Sequence, residues 1–496
     1  MKRIVAILFQ LVLALALSLP AATLPTGAAL EVRLRQTISS YSSQSGTELR
    51  AELIAPVLDN GRTLLPQGSV LRGRLADVKS IRMGLRNLRA SLRVDFDELQ
   101  LPDGSTHPVQ TRLVSVDSAR EAVDASGKIV GIRATSPFGF RLAGIARNLF
   151  IWDPLLQLVI AGSTAAVLRF PEAEIYYPAG TEMLVSLAAP LTLDTTSSTP
   201  LPRIASSMDE NERLRDLVRK MTYRTYTAKH PRPADYVNLV FIGDLEWIER
   251  AFAAAGWLKA DRLSKATGWM SFRSLAEARP YPTAPMSSMT LDESPARFQF
   301  SKALNSYSKR HHLRIFDQSE QWNGRAIGAA SSTQDVGVTW AFRNSRLIHV
   351  IDRNIDNERA KIINDLVYTG CVDAAQLVPR PWVPQQAKVA TGEMIETDGA
   401  VAVIELNPCR TPLRTLASDA PLPVSGGKAE RAGRKFVLIL GNDLTFNNPI
   451  YQAGKGAQFL WRRATGRDQH AAPARTAVLE RATELDSTDP PRNGLP

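Results

Sequence analysis

Three stretches in the first 190 residues share one grammar. LPTGAALEVRL (24–34), LPQGSVLRGRL (65–75) and YPAGTEMLVSL (177–187) each set proline, one spacer and glycine ahead of an alternating run. Proline fixes φ, and glycine accepts turn conformations closed to other residues. The alternation that follows, as in Leu30, Val32 and Leu34 or Met183, Val185 and Leu187, starts a strand with one face inward. Pro102-Asp103-Gly104 marks another turn, after the strand-like LRVDFDELQL (92–101). Short strands punctuated in this way predict an all-β barrel or sandwich over 24–195.

A chain of 496 residues is too long for one ordinary core. The polar, proline-bearing 196–232 reads as a linker and helix, with Ser207 and Glu210 forming a capping box. Two early helices, a run of strands and a later helix then predict a mixed α+β domain over 233–412. The fold class expected is therefore multidomain α+β, an N-terminal β module followed by a mixed one. Val401–Leu406 and Lys435–Leu440 read as further strands, the second in an extension over 413–469. The polar 470–496 reads as a disordered tail. Within the β module, residues 139–168 hold an uncharged run from Pro154 to Leu168. It is too short for a span, which takes about 20 residues. Core packing is expected there, with a membrane or a partner as the other use.

Met1-Lys2-Arg3 and the uncharged Ile4–Leu19 read as a signal peptide ending near residue 22, with an uncleaved anchor as the alternative. That places the protein outside the cytoplasm, in the periplasm or associated with the outer membrane. In an oxidising compartment, Cys371 and Cys409 are most simply a disulfide; two buried free thiols are the alternative. The net charge of +11 is spread along the chain instead of gathered in a stripe. This argues against nucleic acid and suits an anionic envelope surface.

Residues 311–366 gather half of the six histidines. His311 or His312, with His349, Asp352 and Asp356, supplies imidazoles and carboxylates of the kind that hold a divalent metal and activate its water. Without a metal, His349 is a candidate general base oriented by Asp352. Arg359 is a candidate clamp for an anionic group. The competing reading is structural: Asp352 or Asn354 caps a helix over 355–368, Asp356 complements its dipole and Arg359 pairs with a neighbouring carboxylate. Asp335-Val336-Gly337 reads as a turn. No P-loop, HExxH or GxSxG pattern occurs.

Two resemblances extend this reading. Leu65-Pro66-Gln67-Gly68 with Leu71 and Gly73, Phe96 to Gly104 and the opener at 178–187 resemble the TrbI-type family, β-barrel scaffold proteins of the type IV secretion outer-membrane core. The long proline-rich linker of that scaffold is absent, which implies a borrowed barrel module. VNLVFIGDLEWIERAFAAAGW, RPYPTAPMSS, KRHHLRIF, AIGAASSTQDVGVTW and IHVIDRNIDNERAKIINDL resemble successive blocks of the LssY C-terminal domain family over about 235–375. Val350 and Arg353 depart from that family's usual histidine and proline. The resemblance implies an envelope-linked protein with an envelope protein, lipid or glycan as its partner. A hydrolase acting on an envelope phosphoester or lipid is the alternative.

Overall fold

The computed structural model describes residues 22–59, 62–150, 152–193, 202–205, 207–341, 346–409, 426–446 and 449–465. The expected signal segment, most of the 196–206 linker and the expected tail lie outside them.

The β module is a nearly closed antiparallel sheet. Its main strands are β1 (Ala29–Leu34), β2 (Glu48–Leu53), β3 (Val70–Lys79), β4 (Ser91–Gln100), β5 (Thr111–Val116), β6 (Lys128–Val130) and β7 (Glu182–Leu187). They pair in the order β5-β7-β1-β2-β3-β4-β6. The gap between β5 and β4 is bridged by a side chain. Thr111 Oγ1 accepts from Phe96 N at 3.2 Å and donates to Phe96 O at 3.0 Å, and Val109 N donates to Asp97 O. The three opener glycines hold positive φ (Gly27 +88°, Gly68 +88°, Gly180 +94°), and β1, β3 and β7 begin two residues after them. Leu30, Val32, Leu71, Leu92, Phe96 and Val185 all point into one core.

The apolar stretch forms two helices, α1 (Phe138–Leu149) and α2 (Pro154–Val167), the second capped by Asp153, which accepts from Leu156 N. The expectation of core packing is overturned here. Among α1's side chains only Phe140 is buried, while Leu142, Ile145, Leu149, Leu155, Leu158 and Val159 are exposed.

The second module begins with α3 (Met208–Lys220), opened by the Ser207/Glu210 capping box. Next come β8 (Leu239–Ile242), α4 (Leu245–Ala254), α5 (Lys265–Glu277), β9 (Phe298–Lys302), β10 (Arg310–Trp322), β11 (Arg325–Ala341) and β12 (Arg346–Ile351). The helix α6 (Asp356–Thr369), ended by Gly370 at φ +75°, leads to β13 (Val372–Val378) and β14 (Val401–Leu406). The sheet runs β9-β10-β11-β8-β14-β13, with β12 on the far half of β11 and only β8–β14 parallel. α4 and α6 cover one face through Ile248, Phe252, Ile362 and Leu366. α3 covers the other through Leu214 and Val218, which pack on Val240 and Val403. Cys371 and Cys409 are disulfide-bonded and fasten the start of β13 to the segment after β14.

Two sequence readings are corrected. β11 is one strand of 17 residues, so Asp335-Val336-Gly337 is not a turn but a bulge inside it, where the register against β12 shifts. The C-terminal strand extension is instead a pair of helices, α7 (Lys428–Phe446) and α8 (Pro449–Ala464). The VLIL run reads as a strand, yet Arg434, Leu438 and Asn442 are buried four residues apart, the period of a helix. Leu438 joins the barrel core at Gly84, where the close approach leaves no space for a Cβ.

Candidate functional site

Strand geometry divides the paired histidines. Successive residues of β10 point to opposite faces, so His311, Leu313 and Ile315 face α4 and α6, while Arg310, His312 and Arg314 face the other way.

On the helix side, His311 is fully buried. Its Nδ1 lies 2.7 Å from Glu358 Oε2, on α6, and its Nε2 lies 2.9 Å from both oxygens of Asp117, which follows β5 in the other module. Burial alone would lower this imidazole's pKa, but the two carboxylates more than offset it and raise it to about 9. At neutral pH it is an imidazolium donating from both nitrogens.

On the opposite face, register sets Arg310 across from Asp335 and His312 across from Thr333. Asp335 is thereby the diagonal neighbour of His312. His312 Nε2 donates to Asp335 Oδ2, and His349 Nδ1 from β12 lies 2.9 Å from the same oxygen, off the line of a hydrogen bond. Burial outweighs Asp335 and holds His312 down to about 3, as a neutral ring. Burial would raise the Asp335 carboxyl, but His312 and His349 keep it well below the usual carboxylate range. A loop seals this face: Arg310 donates to Ala284 O at 2.9 Å and Arg314 to Ser287 Oγ at 3.2 Å. His349 keeps about a quarter of its side chain exposed, edge-on to Tyr307. Beside it, burial pushes the Glu393 carboxyl up to about 7.

The remaining candidates lie elsewhere. Asp352 is buried ahead of α6, accepting from Asn354 N and from Asn357 Nδ2 at 2.9 Å. Asn354, not Asp352, accepts from Asp356 N. Arg359 is fully buried and donates to Asp398 at 2.7 and 2.8 Å, to Asp356 at 3.1 Å and to Ala400 O at 2.9 Å, fixing the 397–400 loop on the helix. The structure therefore brings His312 and His349 together around Asp335, and sends His311, Asp352, Asp356 and Arg359 to other places. Among the described residues, no three His, Cys, Asp or Glu side chains are disposed to hold a metal ion.

Sequence reasoning missed Asp335 and the charges that join the modules. Glu182 opens β7; Arg33 lies on β1; Lys302, Lys361 and Asp365 come from the mixed module. Lys302 Nζ donates to Glu182 Oε1 at 2.7 Å, Asp365 Oδ2 at 3.0 Å and Ala255 O at 2.9 Å. Lys361 pairs with both carboxylates, Arg33 with Glu182, and Trp257 Nε1 donates to Asp365 at 2.9 Å. Burial would raise Glu182, but Lys302, Lys361 and Arg33 hold it well below the usual carboxylate range. Beside this network a cleft of about 270 Å³ opens between the modules, lined by Arg33, Ser118, Thr181, Gly256, Lys302 and Ala303. The buried Ser118 hydroxyl there has no hydrogen-bond partner among the described residues.

Residues 218–401 match the family model described as the LssY C-terminus. The match begins within α3 and ends at β14, so it takes in nearly all of the mixed module and none of the barrel. A search of curated proteins finds no match. Among solved structures, ComB10 of the Com type IV secretion system of Helicobacter pylori is 12% identical, with 35% of this chain and 92% of that chain covered, at a TM-score of 0.20. The barrel-like architecture of the first module rests on its own strand pairing, not on that likeness.

Proposed function

We propose that this is an exported cell-envelope protein that works by binding and assembly. Its TrbI-like barrel provides attachment, and its LssY-like region recognises an envelope ligand or partner. One observation carries the reading: His311, His312, Asp352 and Arg359 are buried, Asp356 is partly buried, and all five are engaged with protein partners. Turning groups so committed toward a substrate would break contacts that hold the fold together. The disulfide agrees with an oxidising compartment. The cleft between the modules, with its unpartnered Ser118 hydroxyl, is the place where recognition is expected, since ligands favour concave sites at domain interfaces.

A hydrolase reading is favoured by a different observation. His349 is the partly exposed member of the cluster, and Asp335 stands behind its Nδ1. That leaves Nε2 as a candidate general base toward an envelope phosphoester or lipid. The two readings part in one experiment. Wild type and His349→Ala are assayed on a panel of phosphomonoesters and phosphatidic acid, with divalent metal measured in both preparations. Binding predicts equal, background turnover and equal, near-zero metal. Turnover present in wild type and lost in His349→Ala would establish the hydrolase instead.

A further inference from the structure

Helices far apart in the chain meet around α1. Gly139 approaches α5 so closely that a Cβ there would sit 2.9 Å from Ala276 O. Arg133, just before α1, donates to the Tyr451 hydroxyl of α8 at 2.8 Å. A small cavity lined by Phe140, Thr164 and Ile439 lies among α1, α2 and α7. Packing of this kind ordinarily turns apolar residues inward and leaves polar ones facing water.

Here the outward pattern is reversed. Leu142, Ile145 and Leu149, spaced i, i+3 and i+7 on α1, form an exposed stripe. On α2 the exposed positions Leu155, Leu158 and Val159 form another, and α2 carries no charged residue at all. Trp152 in the turn between the helices is 93% exposed, and Trp269 of α5 and Trp461 of α8 are more than half exposed. The charges nearby are mostly basic, with Asp153, the exposed cap of α2, as an acidic exception. α1 and α8 together contain Arg141, Arg147, Lys455, Arg462 and Arg463 and no acidic residue. Apolar stripes, tryptophans and predominantly basic charge are the combination that binds the headgroup region of an anionic bilayer. A protein partner would need no such bias of sign.

We propose that the α1–α2 hairpin, with α5 and α8 beside it, seats this protein in the plane of an anionic phospholipid surface. The helices lie on the membrane and do not cross it. α2 has 14 residues, about 21 Å at the helical rise, against about 30 Å of hydrocarbon. Among the described residues no helix is long and apolar enough to span. The inference goes beyond the recognition reading and stands or falls separately from it, because it uses none of the residues of the cleft or the histidine cluster.

The test is vesicle co-sedimentation of the purified full chain. Phosphatidylglycerol–phosphatidylethanolamine vesicles are compared with phosphatidylcholine vesicles. The proteins are wild type, Leu155→Asp/Leu158→Asp, and Lys455→Glu/Arg462→Glu. All carry the same apolar N-terminal segment, so differences between them report on the helices. Leu155 and Leu158 are at least 70% exposed, so circular dichroism and the melting curve of the first variant should match wild type. The apolar variant is expected to lose more than about tenfold in partitioning to the anionic vesicles. The charge variant is expected to lose the preference for them, as is wild type in high salt. Equal partitioning of the apolar variant and wild type would overturn the proposal. So would a wild-type dimer that the apolar variant dissolves while lipid binding stays unchanged, since the stripes would then face a second copy.

Discussion

His311 and His312 differ in protonation because a pleat puts one between two carboxylates and the other under a sealed loop. For His311 the folded pKa of about 9 exceeds the unfolded value of about 6.5. The stabilisation is therefore complete below pH 6.5, shrinks as pH rises, and is gone above 9. The shift corresponds to stabilisation on the order of 3 kcal/mol. His311→Gln should then cost much more stability at pH 6 than at pH 9.5, as read by urea unfolding of both proteins across that range. A constant difference between them would show that the imidazolium is not what matters. His312 has no such window near neutrality, since burial keeps it neutral until about pH 3. Part of this arrangement was legible in the sequence. Adjacent histidines on a strand must face apart, so only one could join His349. The partner, Asp335, was also within reach. Asn323-Gly324 is the strongest short hairpin signal, and both residues take positive φ. Counting back from that turn brings Asp335 close to Arg310, and the register shift between Asp317 and Gln321 puts them directly opposite. Without that turn, the Asp335–Gly337 segment looked like a boundary.

At the scale of elements, glycine does two separate jobs in the β module. At Gly68 it supplies φ +88° ahead of β3, so Gly68→Ala is expected to cost about 1–2 kcal/mol through backbone strain alone. At Gly73, inside β3, an added Cβ would lie 2.0 Å from Asp95 O and 2.6 Å from Phe96 Cα, both backbone atoms that cannot rotate away. Gly73→Ala must push β3 and β4 apart and should be the more damaging, by about 1–3 kcal/mol or more. Thermal melts of the two variants give the order, and a Gly73→Ala protein as stable as Gly68→Ala would count against a rigid β3–β4 contact. The openers were readable because proline and glycine act through local sterics. The capping box at Ser207 was readable for the same reason, two side chains three residues apart satisfying orphan backbone groups. The outward face of α2 and the helical state of α7 were not. An apolar run states that burial is favourable, but what buries it depends on which other segments arrive. For α7 that segment is the barrel's own Gly84 region. For the stripe on α2, nothing described in this chain covers it.

For the whole molecule, the question is what makes two modules one unit. The joint holds three cations, Arg33, Lys302 and Lys361, around two carboxylates, Glu182 and Asp365, all almost wholly buried except Lys302, whose side chain borders the cleft. The surplus positive charge is met by the neighbouring His311 group, where one imidazolium lies between Asp117 and Glu358. Buried ions of this sort add little over a well-packed apolar joint, but removing one member leaves the others uncompensated. They also fix geometry: Glu182 and Asp117 come from the barrel, Lys302, Lys361 and His311 from the mixed module, so only one docking pose satisfies all of them. Glu182→Gln would leave three cations facing one carboxylate. It should destabilise by about 3–5 kcal/mol, and the loss should fall on the joint before it falls on either core. Scanning calorimetry is expected to show one transition for the wild type and two for Glu182→Gln, with the mixed module, held by its Cys371–Cys409 bond, melting apart from the barrel. A single unshifted transition in the variant would mean that the apolar contacts alone hold the modules together, and that the charges merely tolerate the arrangement.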